Sequence, residues 1–224
     1  MMHADPTVTP RAATFRAEPL HGREDERQVL QSVLERIEAT GTTEIVMLAG
    51  RGGVGKSTLA RWLLKRAQSA GCAVGQGKCD QVNAEIPFAA VAQIVRMLTL
   101  DALGRAQPQL DQLAGRWLGL LSGHGNSITE LVAEAGHVLG HSGPALSTLT
   151  PQGQARIEQA ILRTFEAFGE PGRPAVLFLD DLQWADDATL SFVKSFIASP
   201  PANVLFIGAY RDDEGAVAQL YRQA

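Results

Sequence analysis

Cysteine is scarce in this chain: Cys72 and Cys79 are the only two among 224 residues. Their spacing matches no zinc or redox motif, so the expectation is two buried thiols and no disulfide framework or metal clip. Long apolar runs are lacking too. None approaches the roughly 20 residues that cross a bilayer, and Met1 to Arg16 holds no signal-peptide core, so the expected setting is cytoplasmic, away from membranes. A basic excess is also absent. Twenty Lys and Arg against 24 Asp and Glu leave a net charge of −4, which excludes bulk attraction to nucleic acid or anionic lipid. No basic groove studded with aromatics is visible, so a motor driven by nucleic acid is not expected. Internal repeats and low-complexity tracts are missing as well.

What is present is ordinary globular material, 45% hydrophobic and 20% charged, long enough to bury one sizeable core. Pro6, Pro10 and Pro19 amid scattered Ala and Thr mark residues 1–19 as a flexible arm, leaving 20–224 as the domain. A helix starts near Glu24, with Val29, Leu30, Val33, Leu34 and Ile37 on one face, and Gly41 closes it. Thr43 to Ala49 is β-branched, apolar and short, and reads as a buried strand. After a glycine-rich loop, a helix runs from Thr58 to about Ala70. Ala73 to Cys79 is a weaker strand. Phe88, Val91, Ile94, Val95 and Leu98 mark another helix, with Pro87 at its start.

Residues 104–150 read as a helical insertion. Leu110, Leu113, Trp117 and Leu120 mark one helix and Ile128 to Leu139 a second. Gln154 to Phe168 is a clearer helix. Ala175 to Leu179 is the most apolar strand and ends in Asp180 and Asp181. A helix follows from Asp186 or Asp187 to about Ala198, then a strand over Asn203 to Ala209, then a final helix over Glu214 to Tyr221. Apolar strands alternating with helices predict an α/β fold, a parallel sheet covered on both faces.

Gly50-Arg51-Gly52-Gly53-Val54-Gly55-Lys56-Ser57 fits G-x-x-x-x-G-K-[ST] without a mismatch. Chance gives such a match in roughly 1% of chains this long. An apolar strand before it and a helix after it supply the context in which it binds phosphate. Glycines allow positive φ and a close approach to an anion. Successive N–H groups, from Gly50, Gly52, Gly53, Val54 and Gly55 on to Thr58, line one concavity, and the helix aims its positive end at it. Lys56 is placed to reach the β- and γ-phosphates, and the Ser57 hydroxyl to ligate Mg²⁺. In a parallel sheet, ligands lie beyond the carboxyl ends of the strands. Asp180 is therefore expected near that Mg²⁺, in contact through a water. Asp181 can orient or deprotonate a water that attacks the γ-phosphate. The alternative is that the two carboxylates only cap the next helix. If the strand over 203–209 lies between the loop strand and the Asp180 strand, Arg211 faces the γ-phosphate. Its alternative is a surface pairing with Asp212 or Asp213. Gln183 and Trp184 follow the acidic pair, and Trp184 reads either as a core anchor or as a partner-facing residue.

His21–Glu24 (HGRE), Gly50–Leu59 (GRGGVGKSTL), Gly77–Pro87 (GKCDQVNAEIP), Val176–Asp187 (VLFLDDLQWADD) and Ile207–Glu214 (IGAYRDDE) together resemble the STAND class of signalling ATPases. The likeness is to the AAA-like ATPase domain of large bacterial regulators, including those that carry kinase domains. The phosphate loop alone is common to many families; its combination with FLDDLQWAD and GAYRDDE is far more specific. The resemblance implies a three-layer α/β/α P-loop core of the additional-strand type, with strand order 5-1-4-3-2. It implies that Gly22 and Arg23 lie near the adenine and that Arg211 senses the nucleotide. It also implies ATP or ADP with Mg²⁺ as ligands, slow hydrolysis used as a switch, and protein partners or attached effector domains. ATP over GTP rests on the resemblance, and no N/T-K-x-D stretch that reads guanine is present. Such cores continue into a fifth strand and a helical lid. This chain ends at Ala224, just past its fourth strand, which predicts slow turnover or a binding module without turnover. A small-molecule kinase shares the loop but needs an acceptor pocket and usually lacks the Asp-Asp-Leu-Gln-Trp run.

Overall fold

A computed structural model describes residues 23–140 and 150–212. The expected arm over 1–19, the final helix over Glu214 to Tyr221, and Gly22 and Asp213 lie outside the described residues. Four parallel strands form one sheet: β1 (Glu44–Ala49), β2 (Val74–Lys78), β3 (Ala175–Asp180) and β4 (Val204–Tyr210), in the order β1-β4-β3-β2. The chain leaves β1 in one direction across the sheet and returns from β2 through β3 to β4. Right-handed crossovers demand that the helices change face when the direction reverses. They do so. The helices α1 (Glu24–Thr40) and α2 (Lys56–Ser69) cover one face, while α3 (Ala89–Leu103), α4 (Gln107–Leu121), α7 (Pro151–Phe168) and α8 (Asp187–Ala198) build the other.

Alternation along each strand divides the core between the two layers. Val176 and Phe178 of β3, with Leu205, Ile207 and Ala209 of β4, pack under Leu30, Leu34, Ile37, Leu59, Leu63 and Leu64 of α1 and α2. Ala175, Leu177 and Leu179, with Val204, Phe206 and Tyr210, face the larger layer. There Phe165, Phe192, Phe196 and Phe206 form a chain of ring contacts with centroids 5.0–6.0 Å apart, favourable aromatic geometry. Trp117 packs edge-on to Phe168 at 5.2 Å and donates its indole N–H to Thr164 Oγ1 at 2.9 Å. On the opposite face the Arg27 guanidinium stacks 4.5 Å from the Trp62 ring.

Several boundaries differ from the expectations. The helix after the phosphate loop starts at Lys56 rather than Thr58, because Gly55 at φ 89° makes the turn into it. Pro87 does not open α3. Phe88 is the cap residue, at φ 61°, and its N–H is taken at 3.1 Å by Asp186 from the far side of the sequence. Gly77 explains why α3 lies so close to β2. A Cβ there would sit 2.0 Å from the Ala90 carbonyl oxygen. The helix expected over Ile128 to Leu139 is two short ones, α5 (Gly125–Leu131) and α6 (Ala135–Leu139), split where Val132 turns extended. The helix read from Gln154 starts earlier, at Pro151, because Thr150 caps it by accepting the Gly153 N–H at 3.1 Å; proline suits a first-turn position. Trp184 is partly buried against the larger core.

Candidate functional site

The site lies at the carboxyl ends of β1, β3 and β4. Register brings them level: Ala49 of β1 pairs with Tyr210 of β4, and Leu179 of β3 pairs with Gly208 of β4. The chain therefore leaves three strands at one edge, as Gly50 after β1, Asp181 after β3 and Arg211 after β4. Adjacent strands lie about 4.8 Å apart. The loop and the acidic pair are thus separated by the width of one strand, and β4 fills that gap, as the placement of Arg211 required.

Backbone geometry in the loop is what its glycines permit. Gly50, Gly53 and Gly55 take φ of 149°, 78° and 89°, values that side chains other than glycine rarely adopt. Gly52 serves differently: a Cβ on it would meet the Arg211 guanidinium at 3.6 Å. The Arg211 guanidinium thus lies beside Gly52 of the phosphate loop. Lys56 crosses the loop, its Nζ donating to the Gly50 carbonyl at 2.6 Å and the Arg51 carbonyl at 3.0 Å. Gly55 is the cap residue of α2 and lacks a side-chain acceptor. The N–H groups of the first turn of α2 are of the kind that a helix start leaves for an anion. Ser57 and Thr58 belong to that turn.

Arg23 reaches the loop from outside it. It takes φ 94° just before α1, and its Nη2 donates to the Val54 carbonyl. Glu24, Asp25 and Glu26 fill the first turn of α1, complementing its dipole, and Glu26 lies 4.0 Å from Arg23.

Asp180 is 2% exposed at the end of β3. Arg61 of α2 approaches its Oδ2 at 3.8 Å. Ser57 stands one helical turn before Arg61, on the same side of α2. The two candidate ligands are the Asp180 carboxylate and the Ser57 hydroxyl. Both are hard oxygen donors of the kind Mg²⁺ takes, one or two from protein beside phosphate oxygens; the residues fit that ion. Asp181 is left-handed, φ 55°. Lys78 at the end of β2 pairs with its Oδ2 at 3.2 Å, and Gln183 Nε2 donates to its Oδ1 at 3.0 Å. Neither aspartate caps α8 through its side chain. That task falls to Asp186, which accepts the Thr189 N–H at 2.8 Å and its hydroxyl at 2.6 Å, besides the Phe88 N–H.

Both thiols are free and buried. Cys79 is buried beside this edge, and its pKa is pushed up to about 12 by burial first and then by Asp186, Asp181, Asp180 and Asp80. Cys72 lies at the other end of the sheet and is pushed up to about 11, chiefly by burial. Sequence reasoning missed Arg61, Lys78 and Asp186 at this edge and assigned Gln183 no role. Lys78 and Gln183 do stand inside two of the stretches that carry the resemblance, which was the available signal.

A parallel sheet between two helical layers, with a glycine loop running from the first strand into a helix and a buried aspartate two strands away, is the architecture of a P-loop nucleotide-binding domain. Residues 19–207 match the model of the AAA ATPase domain family, and the chain belongs to that family. It is also similar to hybrid signal transduction histidine kinase G of Dictyostelium discoideum, 27% identical over 180 residues. The match covers 80% of this chain and 5% of that much longer protein. Among the described residues no helix is long and apolar enough to cross a membrane.

Proposed function

We propose that this chain is the ATPase domain of a STAND-class signalling regulator, binding ATP with Mg²⁺ and hydrolysing it slowly as a switch. The observation that carries the reading is the convergence at one sheet edge of Lys56 and Ser57, buried Asp180, and Arg211 against Gly52. In this reading the backbone from Gly50 to Thr58 and the Lys56 ammonium bind the β- and γ-phosphates. Ser57 and Asp180 hold Mg²⁺, which supplies charge neutralisation across the phosphate oxygens. Asp181 orients the attacking water, and Arg211 stabilises charge on the γ-phosphate. Arg23, fixed to the loop at Val54, lies near the adenine. The signalling role draws on the likeness to a protein named as a signal-transduction kinase and on the resemblance to bacterial regulators, and it implies attached effector domains or protein partners.

A second reading is a nucleotide-binding module without turnover that controls assembly. The contacts of Lys78 and Gln183 on both Asp181 oxygens favour it, since they occupy the oxygens that an attacking water would need.

Thermal unfolding with Mg-ATP, with Mg-ADP and without nucleotide tests the binding step. Nucleotide at 100 times its Kd adds about 2.7 kcal/mol, a rise of about 5–10 °C in Tm for a chain of this size. Lys56→Ala is expected to abolish that rise. Phosphate release by the native chain and by Asp181→Asn then separates the readings. Loss of turnover with binding retained supports hydrolysis, and no turnover in the native chain supports the binding module. A native chain whose Tm ignores millimolar nucleotide overturns both.

A further inference from the structure

Gln183 stands where the ends of β3 and β4 meet, and both ends of its amide are engaged. Its Nε2 donates to Asp181 Oδ1 at 3.0 Å, and its Oε1 accepts the backbone N–H of Arg211 at 3.2 Å. This orientation has no alternative. An ionised carboxylate only accepts and a backbone N–H only donates, so a flipped amide would lose both bonds. Tyr210 is the last residue of β4 in the ladder with β1. The Arg211 N–H lies just past that ladder, and a side chain from the next strand's loop takes it. Asp181 itself is held in the left-handed region at φ 55°, and its carbonyl accepts the Trp184 N–H at 2.9 Å. The short turn Leu182–Trp184 therefore returns Gln183 toward the Asp181 side chain.

We propose that Gln183 is the positioning residue that makes Asp181 and Arg211 one unit, so that the guanidinium over Gly52 and the carboxylate at the β3 end move together. The inference rests on the ATPase reading for its consequence in turnover, but its geometry does not depend on that reading. Gln183 touches no reacting atom. It acts through the two residues it joins. Sliding β4 against β3, or turning Asp181 away, breaks one of its two bonds and shifts the other partner. Nucleotide state sensed at Arg211 is thereby reported at Asp181.

Two variants test this. Gln183→Leu removes both bonds at similar volume. Gln183→Glu keeps an acceptor for the Arg211 N–H but replaces the amide donor that faces Asp181 with a second acceptor. The full chain is assayed with Mg-ATP at one neutral pH. Gln183→Leu is expected to lower kcat about tenfold with KM within about twofold, about the scale of one lost charge-assisted hydrogen bond. Gln183→Glu, which loses only the bond to Asp181, is expected to lower kcat to a similar degree with KM again within about twofold. A merely structural role for Gln183 predicts that kcat, KM and Tm without nucleotide change together. Native kcat in both variants, or a fall in kcat matched by a rise in KM, overturns the proposal.

A second readout stands apart from turnover. The Arg211 amide resonance is followed by NMR while Mg-ADP is added, in the native chain and in Asp181→Ala, which removes the acceptor for Gln183. An Arg211 amide shifted by Asp181→Ala in the native background, and not by the same substitution made on Gln183→Leu, supports the linkage even in a chain that does not hydrolyse. An Arg211 amide that ignores Asp181→Ala in the native background overturns it. Failure of the ATPase reading appears separately, as a native chain without phosphate release.

Discussion

The two helical layers on this sheet do different work. The layer of α1 and α2 is thin and polar outside, and its helices start at the functional edge, with Arg23 and Lys56 at their beginnings. The layer of α3 to α8 is thick and holds the large buried rings Trp117, Phe165, Phe192 and Phe196. One layer carries the candidate residues Arg23, Lys56 and Ser57, and the other supplies most of the apolar burial. Asp186 joins the two roles, because it caps α8 and grips the start of α3 only a few residues after Asp180 and Asp181. The strand ends that carry the candidate residues thus rest on a core built mainly from the thicker layer.

The most severe challenge to that division is to hollow the thick layer. Phe192→Ala removes a fully buried ring and is expected to cost about 3–5 kcal/mol, measured by denaturant unfolding. Nucleotide affinity per folded molecule should stay within a few-fold of native; a large loss would mean that the core also tunes the site. Asp186→Ala comes next. It forfeits a helix cap and leaves the buried Phe88 N–H without its acceptor, together about 2–4 kcal/mol. Asp186→Asn, which keeps one acceptor oxygen, should recover part of that. Lys56→Ala probes the other layer. Stability without nucleotide should change by less than about 0.5 kcal/mol, while the roughly 2.7 kcal/mol expected from saturating nucleotide disappears. Thr164→Val, which strips the hydroxyl from the Trp117 indole, should cost about 1–3 kcal/mol with no effect on nucleotide.

The thiols probe the same contrast at the smallest scale, since Cys72 packs in the thin layer and Cys79 in the thick one. Burial raises both, to about 11 and about 12. The folded chain then keeps both protons, while the unfolded chain releases them above about pH 8.5. Stability is expected to fall as pH rises from about 8.5 towards those values, and to be indifferent to these groups below it. Alkylation at pH 8 followed by peptide mapping should label neither thiol rapidly, and whichever reacts first identifies the layer that opens first.

Much of this was legible before the structure. The strands were readable because β3 and β4 are buried on both faces and so carry unbroken apolar runs such as AVLFL and NVLFIGA. The phosphate loop was readable because its glycines answer local demands, seen in the φ of Gly50, Gly53 and Gly55. The helices between β2 and β3 were read less well, since their ends are set by remote partners. Asp186 captures Phe88 across 98 residues of sequence, and the break at Val132 follows no proline. Gln183 illustrates the same limit within the site: its type and position were plain, and its partner, the Arg211 N–H, was not.

Residues near one another in the chain were enough to specify the alternation of strands and helices, the loop from Gly50 to Ser57, and the acidic end of β3. Three further facts needed the folded chain: that Arg211 lies against Gly52 and gives its N–H to Gln183, that Lys78 pairs with Asp181, and that Arg61 faces Asp180. Those contacts depend on strand order and register, which place β4 between β1 and β3. Register is fixed by burial summed over the whole sheet, a quantity that no single stretch of sequence contains.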